Sequence, residues 1–320
     1  MSNSNSLGVE IGKSDSLHVS TARQYLTNKN GRWQTTPFPA SLSRDDAFAL
    51  SPNDTPHMAR HVGGNITVSA LQASKWVDVS VIPPNGRSTG MPAFAIDSND
   101  VWYVLHPSTA YAAGKFWSAG KLIYTRIAGG TAGGGAVIAT PAKKSKLGGY
   151  VANNYVVAID GQGKVHTAWV QVLTSGPTSI RYATNASGSW KDESVIEPFG
   201  LASGSPKIAA DAKGVHICFF DSTNKALKCA EKTTKGWTFS TLPSATSVFA
   251  VEMDNGSPVV IDGSLEVLRY SGAKWSVTDK ADSYAGTGHV RFGLGSSGTV
   301  HVVYSFRGPT GQTVIRHAWR

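Results

Sequence analysis

Five histidines recur at one place in a repeated pattern: His18, His57, His166, His216 and His301. Each is the second residue of a β-rich tetrapeptide, as in Leu17-His18-Val19-Ser20, Val165-His166-Thr167-Ala168 and Val300-His301-Val302-Val303. Aligning the tetrapeptides puts Trp102 and Pro258 at this position in two further copies. Imidazole is the commonest metal ligand and a frequent general base. The spacing argues against a shared ion, because each histidine belongs to a different repeat. Residues at equal depth around a ring lie too far apart to share one metal at bonding distances of about 2 Å. The expected role is a half-buried strand residue whose ring bonds a neighbouring backbone group.

A second pattern pairs aromatic and basic residues. Trp33, Trp76, Trp190, Trp237 and Trp275 open the last segment of five repeats. Arg181, Lys228, Arg269 and Arg316 hold the second place in the preceding apolar–basic–variable–small segment. An indole offers a broad apolar face and an N–H donor. A guanidinium offers planar donors to hydroxyls or carboxylates. Together they are the means of stacking on and bonding a sugar, and repeated weak sites would add through avidity. The competing role for each Trp is a plug between adjacent repeats.

Catalytic signatures are sparse. No nucleophile elbow, phosphate loop or HExxH motif is present, and Gly129–Gly135 has no following Lys-Ser/Thr. His61, Tyr103, His106 and Arg126 could supply the base, acid and cation of a polysaccharide lyase, but the sequence fixes no geometry among them. The reading therefore leans to binding over catalysis, with no metal and no cofactor.

The elements that must position these residues are legible in residues 154–197. Tyr155–Ile159 and Val165–Trp169 are β-rich runs separated by Asp160-Gly161-Gln162-Gly163, a hairpin signal. Ile180–Ala183 and a run beginning at Trp190 follow. Copies of this four-strand unit are expected at about 7–39, 46–83, 92–141, 154–198, 206–243, 247–279 and 288–320. Seven units with a mean period of roughly 46 residues fit the propeller range. The predicted fold is an all-β, seven-bladed propeller of four-stranded antiparallel blades in one domain spanning 1–320. The last unit has sequence for three strands, so ring closure is expected from packing of blade seven on blade one without strand exchange. The third unit carries an insertion, His106–Gly120, whose Tyr111, Phe116 and Trp117 are expected over one mouth of the ring or folded on their own blade.

The segments Gly31-Arg32-Trp33, Gly188-Ser189-Trp190 and Gly236-Trp237, with Ser74-Lys75-Trp76 and Ala273-Lys274-Trp275, resemble the blade ends of the sialidase-like, BNR-repeat superfamily and of bacterial and fungal propeller lectins. The resemblance spans the chain and implies a propeller fold and glycan binding. The strict Asp-box, Ser-x-Asp-x-Gly-x-Thr-Trp, is absent. The arginine triad, Tyr–Glu nucleophile and Asp acid that a sialidase would imply cannot be matched to particular residues.

Composition narrows the partners. The formal net charge is +9 and the pI about 9.5, but Lys and Arg are dispersed through the repeats, which disfavours nucleic acid. The tight group Lys143-Lys144-Ser145-Lys146 reads as a solvated loop. Expected partners are glycans, including acidic ones, or another protein at a ring face. No run approaches 18 apolar residues, so no membrane-spanning helix is expected. The start lacks the features of a signal peptide, which points to a cytoplasmic or non-classically released protein. Cys218 and Cys229 flank a hairpin turn and read as two buried thiols, a cross-strand disulfide being the geometrically awkward alternative.

Overall fold

A computed structural model of the chain describes residues 8–21, 24–38, 47–83, 92–108, 121–139, 150–151, 155–172, 179–197, 205–221, 223–243, 248–282, 287–307 and 313–319. They form seven antiparallel sheets of up-and-down topology, the blades of a propeller. The innermost strands are Gly8–Ile11, Ala47–Leu50, Ala93–Ile96, Val156–Ile159, Lys207–Ala210, Val248–Asp254 and Thr287–Leu294. They neighbour one another in chain order, and that of blade seven lies against that of blade one. Blades one, two, five and six have four strands, and blade seven has three, Thr287–Leu294, Val300–Arg307 and Thr313–Trp319.

Two blades carry local variations. In blade three the outer strand is split into Thr131–Ala132 and Ala136–Ala139, both paired with Lys121–Ala128. In blade four a short piece, Tyr150–Val151, continues the line of the inner strand along Val165–Val172.

The chain makes strands here because β-rich runs alternate with turns that satisfy their own backbone. Asp160 Oδ1 accepts the N–H groups of Gln162 and Lys164 at 2.8 and 2.9 Å, closing the first hairpin of blade four. Asp97 does the same for Asn99 and Val101 at 2.8 and 2.9 Å in blade three. Such Asx turns explain the preference for Asp at these corners. At the outer corner Gly188 takes φ 88°, which an L side chain resists. Asn185 Oδ1 reaches back to accept the Val165 N–H at 2.8 Å, tying that corner to the second strand.

Both faces of the inner strands are covered, so the core is distributed. Seven apolar clusters of described residues form it, one at each blade junction. Tyr25 and Phe48 pack between blades one and two, Trp102 and Ile127 between two and three, and Val19 and Val303 between one and seven. No blade could bury its faces alone, which is why the unit must repeat.

The cysteines correct an expectation. Cys218 and Cys229 are direct partners across two strands of blade five and are joined by a disulfide, with Cα atoms 4.0 Å apart. Both are almost wholly buried. Their register brings the two Cβ atoms to the same face, and that closeness makes the cross-link feasible.

Candidate functional site

The junction of blades four and five shows how the repeated residues are used. His166 is buried, with Nε2 3.3 Å from Asp160 Oδ2 and Nδ1 2.7 Å from Tyr182 Oη. In the neutral ring Nε2–H donates to the carboxylate and Nδ1 accepts the phenol proton. Trp237, from blade five, meets the Tyr182 ring edge-on at 5.1 Å and 80°. The same relay joins blades one and two: His18 Nδ1 lies 2.5 Å from Tyr25 Oη, and Tyr25 meets Trp76 at 6.1 Å and 86°. At the closing junction His317 stands where the tyrosine would be, 3.1 Å from His301 and edge-on to Trp33 at 6.0 Å.

Blade three corrects the alignment of the repeats. Tyr103, not Trp102, takes the histidine's place, donating from Oη to Asp97 Oδ2 at 2.8 Å and stacking on Tyr124, which meets Trp190 at 4.9 Å. The interval from the corner Asp to this residue is the same in both blades, Asp97 to Tyr103 and Asp160 to His166. Matching the valines instead shifts the copy by one residue and puts Trp102 on the wrong face of the strand, where it packs towards blade two.

Burial dominates the electrostatics of these relays. It pushes His18 down to about 4 and lowers His57, His166, His216 and His301. It raises Tyr25 and Tyr182 to about 12. The rings are therefore neutral near pH 7. His57 donates from Nδ1 to the Thr55 carbonyl at 2.9 Å, the backbone bond expected from sequence.

The tryptophans divide accordingly. Trp76, Trp190, Trp237 and Trp275 are half-buried wedges between blades, whereas Trp33 is 49% exposed. The indole nitrogens of Trp76 and Trp237 are enclosed without a partner among the described residues. The repeated basic residues are each engaged by a carboxylate: Arg181 with Asp192 at 2.9 Å, Lys228 with Asp221 at 2.8 Å, Arg269 with Asp254, and Arg316 with Asp282 at 3.3 Å. Tyr111, Phe116 and Trp117 lie outside the described residues. The four residues considered for a lyase are split. His106 faces His61 across blades two and three, while Tyr103, with Arg126 beside it, faces blade four.

Blade five breaks the pattern. Its residue in the place of Tyr182 is Cys229, bonded to Cys218. His216 thus lacks the phenol partner that His18 and His166 have. A pocket of about 100 Å³ lies at the same junction, lined by His216, Glu231, Thr238, Phe239, Ser240, Tyr270 and Trp275. Trp275 Nε1 donates to Ser240 Oγ at 2.8 Å, and Tyr270 lies 5.2 Å from the indole at 45°. Three aromatic rings, a carboxylate, three hydroxyls and a neutral imidazole line one small cleft. Sequence reasoning named Trp275 as a binding residue and His216 as a half-buried strand residue, but missed the others. The signal was the alignment of Leu227-Lys228-Cys229-Ala230 with Ile180-Arg181-Tyr182-Ala183, which already showed the tyrosine missing.

No protein-family model matches the chain, and no curated protein matches it in sequence. Solved structures match over nearly the whole length. Hydrazine synthase from Kuenenia stuttgartiensis aligns with TM-score 0.63 at 11% identity, covering 97% of this chain and 94% of that one. The polysaccharide lyase Uly1 aligns with TM-score 0.60 at 12% identity, covering 98% and 88%. YCF48 from Cyanidioschyzon merolae aligns with TM-score 0.58 at 13% identity, covering 98% and 96%. Such distant likeness establishes the seven-bladed propeller fold. Proteins so different in name share the architecture, so function has to be argued from the site.

Proposed function

We propose that this propeller is a carbohydrate-binding, lectin-like protein without catalytic activity, and that its principal site is the pocket between blades five and six. The observation that carries the reading is the missing tyrosine of blade five. At that junction Trp275 lines a pocket together with Tyr270, Glu231, Ser240 and Thr238. An indole face stacks on the C–H face of a sugar while carboxylate, hydroxyl and imidazole groups bond its hydroxyls. The volume is well below the roughly 300–1,000 Å³ of sites that engulf a ligand. The pocket would therefore hold one edge of a sugar ring and leave the rest in water. Glu231 disfavours an anionic sugar here and favours a neutral or amino sugar. Half-exposed Trp33 is the other repeated tryptophan left open for stacking. The Gly/Trp blade ends that resemble propeller lectins agree with this reading.

A glycan array followed by calorimetry tests it. Trp275→Ala is expected to weaken the best ligand at least about tenfold, the loss of one aromatic contact, and Glu231→Gln to weaken it further for hydroxyl-rich sugars. An array without hits, or undiminished binding by Trp275→Ala, removes the proposal. Release of unsaturated uronate from an acidic polysaccharide would replace it with a lyase reading.

A further inference from the structure

Besides Asp254, which is paired with Arg269, the innermost strands carry four charged residues that the pocket does not use: Glu10 in blade one, Lys207 in blade five, Glu252 in blade six and Arg291 in blade seven. These strands are covered outwardly by second strands and laterally by adjacent blades, so their solvent contact comes from the ring's central channel. Glu252 is exposed there, and the other three are half-buried.

Register sorts them into tiers. Glu10 is the partner of His18, while Gly293 and Ala209 are the partners of His301 and His216. Arg291 and Lys207 therefore sit two residues earlier along their strands than Glu10 does along its own, a step of about 7 Å. Interaction follows the tiers: Glu252 raises Glu10, and Arg291 lowers Lys207. The larger cause is the enclosure of the channel by the surrounding blades, which keeps bulk water from these groups even where they face the channel and brings Glu10 up to about 8, Glu252 up to about 7 and Lys207 down to about 8. Like charge thus stands beside like charge, and no carboxylate is paired with Lys207 or Arg291 among the described residues. Arg291 donates from Nη1 to the Val290 carbonyl at 2.8 Å, which neutralises nothing.

Two half-buried cations side by side, with no counter-charge among the described residues, are costly unless an anion joins them. We propose that Lys207 and Arg291 form an anion site in the central channel, separate from the blade five–six pocket, which takes a carboxylate or sulfate group. A guanidinium and an ammonium on the same tier of the channel, from blades seven and five, suit the several oxygens of such a group. The source is either a free small oxyanion or the acidic substituent of a longer molecule entering the channel.

The test is calorimetric titration of the full chain with sulfate, glucuronate and a galacturonate tetramer, at constant ionic strength maintained with chloride. Saturable binding of at least one is expected, weakened about tenfold or more in Lys207→Met and in Arg291→Met, as loss of a charge-assisted contact implies. Tighter binding of the tetramer than of glucuronate would assign the site to a polymer's substituent, and equal binding to a free oxyanion. Should a methionine variant fail to fold, Glu252→Gln removes an opposing charge and is expected to tighten sulfate. Absence of saturable binding by all three probes, or affinities unchanged in Glu252→Gln and the methionine variants, overturns the proposal. Trp275→Ala leaves this site intact, so failure of the sugar pocket and failure of the anion site are read separately.

Discussion

His106 shows what a buried imidazole does in this fold. It is 2% exposed, neither ring nitrogen has a side-chain hydrogen-bond partner among the described residues, and burial pushes it down to about 4. The folded protein therefore refuses a proton that the unfolded chain accepts near pH 6.5. Stability from this residue is fully present above pH 6.5 and is lost as pH falls towards 4, amounting to about 3 kcal/mol at most. His18 and His317, also lowered to about 4, add to the same acid limb. Replacing His106 with Leu is expected to flatten that limb, giving a smaller fall in the urea midpoint between pH 7.5 and 4.5 than in the parent chain. Equal slopes would show that the ring ionises freely. The sequence announced the repeated histidines through their spacing, but it gave no sign that His106, outside the repeat position, is enclosed without a side-chain partner among the described residues. That depends on His61 and the facing surface of blade two, which only the packed junction supplies.

At the scale of the strand, the histidine–tyrosine–tryptophan relay turns a blade into a unit that recognises the next. Tyr182 is fixed by His166 on its own blade and presents its ring to Trp237 on the following one. Tyr182→Phe removes the phenol bond and is expected to cost about 1 kcal/mol. Trp237→Ala removes the wedge and is expected to cost roughly 3 kcal/mol. Trp33→Ala, at a residue 49% exposed, is expected to cost less than half as much. Denaturant unfolding of the three variants checks the order, and a Trp33 loss equal to that of Trp237 would contradict the wedge assignment. Strand positions were readable because alternation and Asp/Gly corners are local features. The role of the tryptophans was not, because plug and platform use the same residue type at the same spacing. The difference between them at blade five lies in Cys229, whose disulfide partner is set by cross-strand register.

A ring of blades has one junction that chain connectivity does not enforce, the one between the last blade and the first. Here it is closed without an exchanged strand among the described residues. Asp15 accepts the Ser296 N–H at 2.7 Å and its hydroxyl at 3.2 Å, a latch between blades one and seven. Trp33 rests on His317. Closer to the axis, Ile11 packs over Gly293: a Cβ on that glycine would lie 2.5 Å from Ile11 Cγ1 and 3.1 Å from Cδ1. The backbone of Gly293 is ordinary for any residue, so the requirement is for space alone. Gly293→Ala is therefore expected to destabilise the protein by about 1–3 kcal/mol through overpacking. Ile11→Ala opens a cavity at the same place and is expected to cost about 2 kcal/mol by itself. Combined, the two changes relieve one another, and the double variant should lose at least about 1 kcal/mol less than the sum of the singles. The three variants are compared by denaturant unfolding with tryptophan fluorescence as the probe. Strict additivity would mean that Ile11 and Gly293 do not share a packed surface, and that the first and last blades are held together by the rim contacts of Asp15 and Trp33 instead.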